Sequence, residues 1–330
     1  MSQCFHQAFL IILLLLGIPG NCIVIIMFKQ KSMRSHPSAD FLVVMCISDT
    51  IYLIVLFLLV LTKFGISILH MNVICQLTMY ITFVCDFVSA YTITLFTALR
   101  FTAIVFPVRS RRLYSHRSSR ILNAIVVGVA LILYAYMLMA LEARRYYTKS
   151  NVTSSNVTAT FQCRAKAKYL RLLEIGHILD TILVFIIPYI TILLLNMMIV
   201  YHLRIPSPSL FKESNSEEYQ INNRRCIGNR NIARSRMTKI LLVTSSFYLL
   251  LKAPFHIVNT VRLLSKTRFS ISTSIRIKYI VDEIFLYLNY CSLAMNLYIY
   301  VFFVSGFTHD LKKFLSFKLH SILQRREIQQ

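Results

Sequence analysis

Asp49, Asp86, Arg100 and Lys252 lie inside long apolar stretches, where little water can reach them. A charge at the centre of a bilayer costs ~3 kcal/mol on one scale and above ~10 on another, so such residues need partners and a reason to be there. A lysine at that depth must find a counter-ion or give up its proton. An isolated carboxylate must likewise be neutralised. The stretch from Cys75 to Arg109 carries two of these groups. It runs apolar for about 25 residues, with Asp86 its one charged interruption before Arg100. That length spans a bilayer core at about 1.5 Å per residue. An acid in mid-helix, an arginine at one end and a cysteine at the other are more than an anchor requires. The eight cysteines form no CxxC pair, which leaves cysteine metal ligation without support. Cys22, Cys46, Cys85 and Cys291 fall within apolar spans and read as packing residues.

The elements that position these groups are membrane helices. The chain has 330 residues, 56% hydrophobic and 15% charged, with mean hydropathy +0.62. A soluble domain would be about 25% charged. The spacing predicts one domain, 1–330, with seven spans at about 8–28, 40–62, 75–107, 121–142, 174–203, 237–264 and 278–304. A short amphipathic helix, 306–320, follows and suits the membrane interface. Residues 204–236 read as a mobile polar loop. The net charge of +23 fits basic flanks of membrane helices better than nucleic-acid binding, which is excluded as a partner class. The first apolar run is not a signal peptide, because no Lys or Arg precedes it and Lys29, Lys31 and Arg34 follow.

Charge and sequons give the orientation. With the N-terminus outside, the larger share of Lys and Arg falls inside. Asn151-Val-Thr153 and Asn156-Val-Thr158 then lie in an outer loop, where Asn151 and Asn156 are glycosylation acceptors. No internal repeat is evident, which counts against a transporter built from two halves.

Seven spans, this orientation and a series of local motifs resemble the rhodopsin-like G-protein-coupled receptors. The motifs are Gly20-Asn21, Ile47-Ser48-Asp49, Cys75 and Arg100 twenty-five residues apart, and Ala103-Ile104-Val105-Phe106-Pro107. Pro188, Lys252-Ala253-Pro254-Phe255, and Asn296-Leu297-Tyr298-Ile299-Tyr300 with Phe307 complete the series. The text around span 7, with its Asn-x-x-x-Tyr lacking proline, looks most like invertebrate neuropeptide receptors of the FMRFamide-receptor-like type. The resemblance implies an all-α, seven-transmembrane bundle with a short interfacial eighth helix, and no enzymatic activity. It implies a multi-pass protein of the plasma membrane whose partners are the lipid bilayer, an extracellular ligand (a peptide) and a heterotrimeric G protein.

The departures are specific. The family's Asp/Glu-Arg-Tyr is Leu99-Arg100-Phe101 here, and the acid beside the arginine is gone. Arg234 stands where span 6 often carries an acid facing that arginine. Asn196 replaces a tyrosine of lower span 5. There is no tryptophan, and the one before the span 6 proline is Lys252.

Residue roles follow from the resemblance. Cys75 and Cys163 form a disulfide; two free cysteines are the alternative. Asp49, Ser89, Ser292 and Asn296, with Asn21 nearby, match the family's mid-membrane sodium site. Either sodium binds there, the one cofactor implied, or a protonated Asp49 sits in a polar network. Arg100, Asn296 and Tyr300 serve G-protein coupling. Without a neighbouring acid, Arg100 implies raised ligand-independent signalling, unless other packing holds the resting state. Lys252 occupies a position that touches Asp86 in the family, so the two form an ion pair at the floor of the ligand cavity, or Lys252 reaches water there. Thr82, Asp86, His177, Asp180, Lys252, His256, Asn259, Tyr287 and Tyr290 line that cavity. A basic rim that includes Arg144, Arg145, Lys149, Arg164, Lys166, Lys168 and Arg171 attracts an acidic ligand or is only a solvated surface. A transporter or channel, a non-signalling binder and a chemosensory receptor are the rival readings.

Overall fold

The computed structural model describes residues 3–30, 37, 39–63, 71–106, 110, 115–149, 157–204, 238–261, 275–303, 307–309, 311–314 and 316. Six helices in it are long and apolar enough to cross a membrane. They are α1 (Phe5–Lys29 within Gln3–Lys29), α2 (Ala39–Lys63), α3 (Asn72–Val105), α4 (His116–Ala140), α5 (Ala167–Arg204) and α6 (Thr238–Val261). The seventh span is a bent pair, α7 (Ile275–Ala294) and α8 (Asn296–Phe303), whose axes differ by 69°. Their outer faces are apolar. Ile132 is 81% exposed, Phe302 78% and Leu250 69%, as expected where the solvent is lipid.

Several boundaries differ from the sequence expectation, each for a local reason. Helix α1 begins at Gln3, because nothing between Gln3 and Phe9 breaks a helix. Helix α4 starts at His116, where the Ser115 hydroxyl caps the Ser118 N–H at 3.1 Å. Ahead of Pro188, which has no N–H to give, Thr181–Ile186 widens into a π turn. The seventh span bends without the family's proline. Asn21 Nδ2 instead donates to the Leu293 carbonyl at the bend (2.9 Å), and a side chain engaging the helix ladder is a recognised cause of kinks. Residues 205–237, with the expected loop, and both sequons, Asn151 and Asn156, lie outside the described residues. So does Arg234. Of the expected interfacial helix, 307–309, 311–314 and 316 are helical.

One element was not expected from the sequence pattern. Leu141–Lys149 (β1) and Val157–Ala165 (β2) form an antiparallel hairpin, with Ala143 opposite Cys163. A disulfide joins Cys163 to Cys75 at the start of α3, with Cα atoms 5.5 Å apart. Gln76 Nε2 donates to the Leu141 carbonyl, and the Ala143 N–H donates to Asn72 Oδ1, both at 2.8 Å. The hairpin is therefore stitched to α3 from three sides.

A buried cluster lies at the far end of the bundle from the hairpin. Phe28, Tyr300 and Phe307 are fully buried there, and their ring centroids lie 5.7–6.5 Å apart. Phe307 thereby fixes the segment after α8 to α1. In the other half, Gly17 lets α1, α2 and α7 close up, because a Cβ there would lie 2.7 Å from both Ala294 Cβ and Leu53 Cδ1.

Candidate functional site

Helix α6 carries Tyr248, Lys252 and His256 at four-residue intervals, so all three share one face. That face meets α3. Lys252 is 3% exposed, and its ammonium contacts Asp86 Oδ1 directly. The same ammonium lies 5.3 Å from the centroid of the Tyr248 ring, a cation–π contact that adds attraction in a dry site. His256 stacks on Phe185 of α5, with centroids 5.0 Å apart and planes 7° from parallel. The carboxylate is the more accessible partner, its side chain 19% exposed against 4% for the lysine.

Below this pair lies a second constellation. Asp49 of α2 accepts from Ser89 Oγ of α3 on one oxygen and from Asn296 Nδ2 of α8 on the other, both at 2.8 Å. Asn296 also donates to Asn21 Oδ1 of α1 at 3.1 Å. Side chains of four helices thus join in one network around the Asp49 carboxylate. A cavity of about 20 Å³, room for one water, separates the two constellations; Asp49, Ser89, Asn296, Tyr248 and Lys252 all line it.

Asp49, Ser89, Ser292 and Asn296, expected at the sodium site, line one cavity together with Lys252. A hard cation needs several oxygen ligands. Each Asp49 oxygen accepts one hydrogen bond, and Ser292 Oγ donates to the Asn289 carbonyl of its own helix (2.7 Å), so each of these oxygens keeps a lone pair. The fixed ammonium of Lys252 shares the cavity. A sodium ion there would be held next to a like charge.

The remaining residues expected at the ligand cavity are distributed more widely. Thr82 donates to the Thr78 carbonyl within α3 (2.8 Å). Asp180 turns to α4, where it accepts from the Tyr134 hydroxyl at 2.5 Å. Tyr287 packs under the start of α1, its hydroxyl 2.6 Å from His6 Nδ1 and its ring 4.4 Å from that of Phe9. Tyr290 lies against Tyr52. His177 and Asn259 are half-buried. Near the end of helix α3 lies Arg100, 3% exposed and 5.9 Å from the Phe96 ring. Leu99 and Phe101 pack into the core beside it. Asn196, in the place of the family's tyrosine, ties α5 to α6 by donating to Ser245 Oγ at 2.7 Å. Sequence reasoning passed over Tyr248, Tyr134 and Ser245. The first was discoverable from its four-residue spacing to Lys252.

A bundle of seven spans, with a disulfide-held hairpin at one end and a buried arginine at the other, defines a multi-pass membrane protein of receptor architecture. Residues 20–300 match the 7 transmembrane receptor (rhodopsin family), and the chain belongs to that family. Its members are receptors and not enzymes. No curated protein matches the sequence.

Proposed function

We propose that this chain is a plasma-membrane receptor, N-terminus outside, that senses an extracellular peptide and activates a heterotrimeric G protein. The observation that carries the reading is the Asp86–Lys252 contact. It joins α3 to α6, so a ligand whose charge competes for Asp86 loosens α6. Helices α5 and α6 then move together through Asn196–Ser245 and open the inner end around Arg100. A peptide is favoured by the exposed Arg144, Arg145, Arg164, Lys168 and Arg171 on and beside the hairpin, which attract acidic ligand segments. The FMRFamide-receptor-like subtype rests on the span 7 text alone. In the same reading, Lys252 takes the place of a sodium ion as the positive charge of the mid-membrane site.

The test is basal G-protein activation across the main subtypes, for the natural chain and for Arg100→Ala at matched surface level. Basal activation that Arg100→Ala abolishes supports transduction. Silence in both, together with saturable ligand binding, favours a receptor relative that binds without signalling. That second reading is favoured by the lost acid at Leu99.

A further inference from the structure

Asp180 is a buried carboxylate that the α3–α6 contact does not use. It is 8% exposed, and among the described residues Tyr134 is its one hydrogen-bond partner, on Oδ1. It lines a recess between α4 and α5 of about 140 Å³. A second polar group faces the same recess. The Tyr136 hydroxyl is buried and, among the described residues, has no hydrogen-bond partner. Gly176 makes room for it, since any side chain at that position would collide with Tyr136 Oη. The rest of the wall is apolar, and its rim residues Leu172, Ile175 and Leu179 are 41%, 56% and 48% exposed. Ile175 and Leu179 fall within the apolar span 174–203, where that exposure is to lipid, and Leu172 lies at its edge, so the recess opens toward the bilayer near one membrane face.

We propose that this recess is a second binding site, entered from the bilayer, for an amine carried on a hydrocarbon tail. An unpaired carboxylate facing hydrocarbon is costly, and an ammonium group neutralises it. The ammonium has three donors. One reaches the Asp180 carboxylate and another the Tyr136 hydroxyl, which accepts. The tail leaves between Leu172, Ile175 and Leu179, along the lipid. An alcohol would satisfy the hydroxyl but not the charge, and a carboxylate head would be repelled by Asp180.

The absence of tryptophan in the chain supplies a clean reporter. Ile175→Trp places a single tryptophan at the mouth of the recess. In nanodiscs of zwitterionic lipid, its fluorescence is titrated with tail-brominated dodecylamine, and with the matched alcohol and carboxylic acid. The expected result is saturable quenching by the amine alone, lost in Asp180→Asn and weakened roughly two- to tenfold in Tyr136→Phe. Unsaturable quenching by all three probes, which is ordinary partitioning, overturns the proposal. So does saturation that survives Asp180→Asn unchanged. If Asp180→Asn does not fold, Tyr136→Phe decides: weaker binding supports the site, and unchanged binding overturns it. Nothing in this titration depends on G-protein coupling.

Discussion

Asp49, which is buried, and Asp86, whose side chain is 19% exposed, are carboxylates on neighbouring helices, and they are held in opposite ways. Asp49 is held by neutral donors, Ser89 and Asn296, with Asn21 behind them. Asp86 is held by one cation, Lys252. A network of neutral groups can re-form its bonds after a change, because hydroxyls and amides both donate and accept. An ion pair has no such reserve. Removing one member leaves the other charged, dry and alone. The comparison therefore predicts a robust lower site and a brittle upper one.

The largest expected effect is that of Lys252→Met. Loss of one partner of a buried pair costs about 3–5 kcal/mol. Surface expression should collapse, and the thermal midpoint, read with a thiol-reactive dye on buried Cys46 and Cys85, should fall. Asp86→Asn combined with Lys252→Met should recover most of that loss, since no unpaired charge remains. Equal expression of the single and double variants would show that the two residues act independently.

Asp49→Asn comes next, with a smaller effect. An asparagine still accepts from one neighbour, and Ser89 can turn to accept from the new amide. The expected cost is about 1 kcal/mol, the net worth of one hydrogen bond. The same dye-based melt ranks it against Lys252→Met. If Asp49→Asn proves as damaging as Lys252→Met, the lower network is no more tolerant than the ion pair, and the contrast fails.

What the sequence disclosed and what it hid follow the same division. Isolated charges in apolar runs announce themselves, so Asp49, Asp86, Arg100 and Lys252 are legible from the residue order alone. The Asp86–Lys252 pairing came from the resemblance, which places those positions in contact. Tyr248 was legible by spacing, four residues before Lys252, but a tyrosine in a hydrophobic helix draws no notice. The Tyr134–Asp180 bond was not legible. It joins residues 46 apart in sequence, and it depends on a turn at the end of α4 that no local pattern marks. The span 7 bend was hidden for a related reason: its cause, Asn21, lies on another helix. The hairpin was readable in part, since Val157, Ala159 and Phe161 alternate with Thr158, Thr160 and Gln162. Nine residues of such alternation are a weak signal beside runs of twenty apolar residues.

The smallest expected effect sharpens the comparison most. If Lys252 is the positive charge of the mid-membrane site, exchanging sodium chloride for choline chloride at constant ionic strength should leave the melting of the natural chain unchanged. General salt screening is matched in the two series, so any difference is specific to sodium. Removing the fixed cation should restore a need for a mobile one. The double variant Asp86→Asn with Lys252→Met keeps Asp49 charged and takes the ammonium away, and it should melt higher in sodium than in choline. A sodium-specific rise in the natural chain would show that the cavity takes a metal ion despite Lys252. The absence of a rise in both proteins would show that Asp49 needs no cation at all, and that Ser89 and Asn296 suffice to hold it.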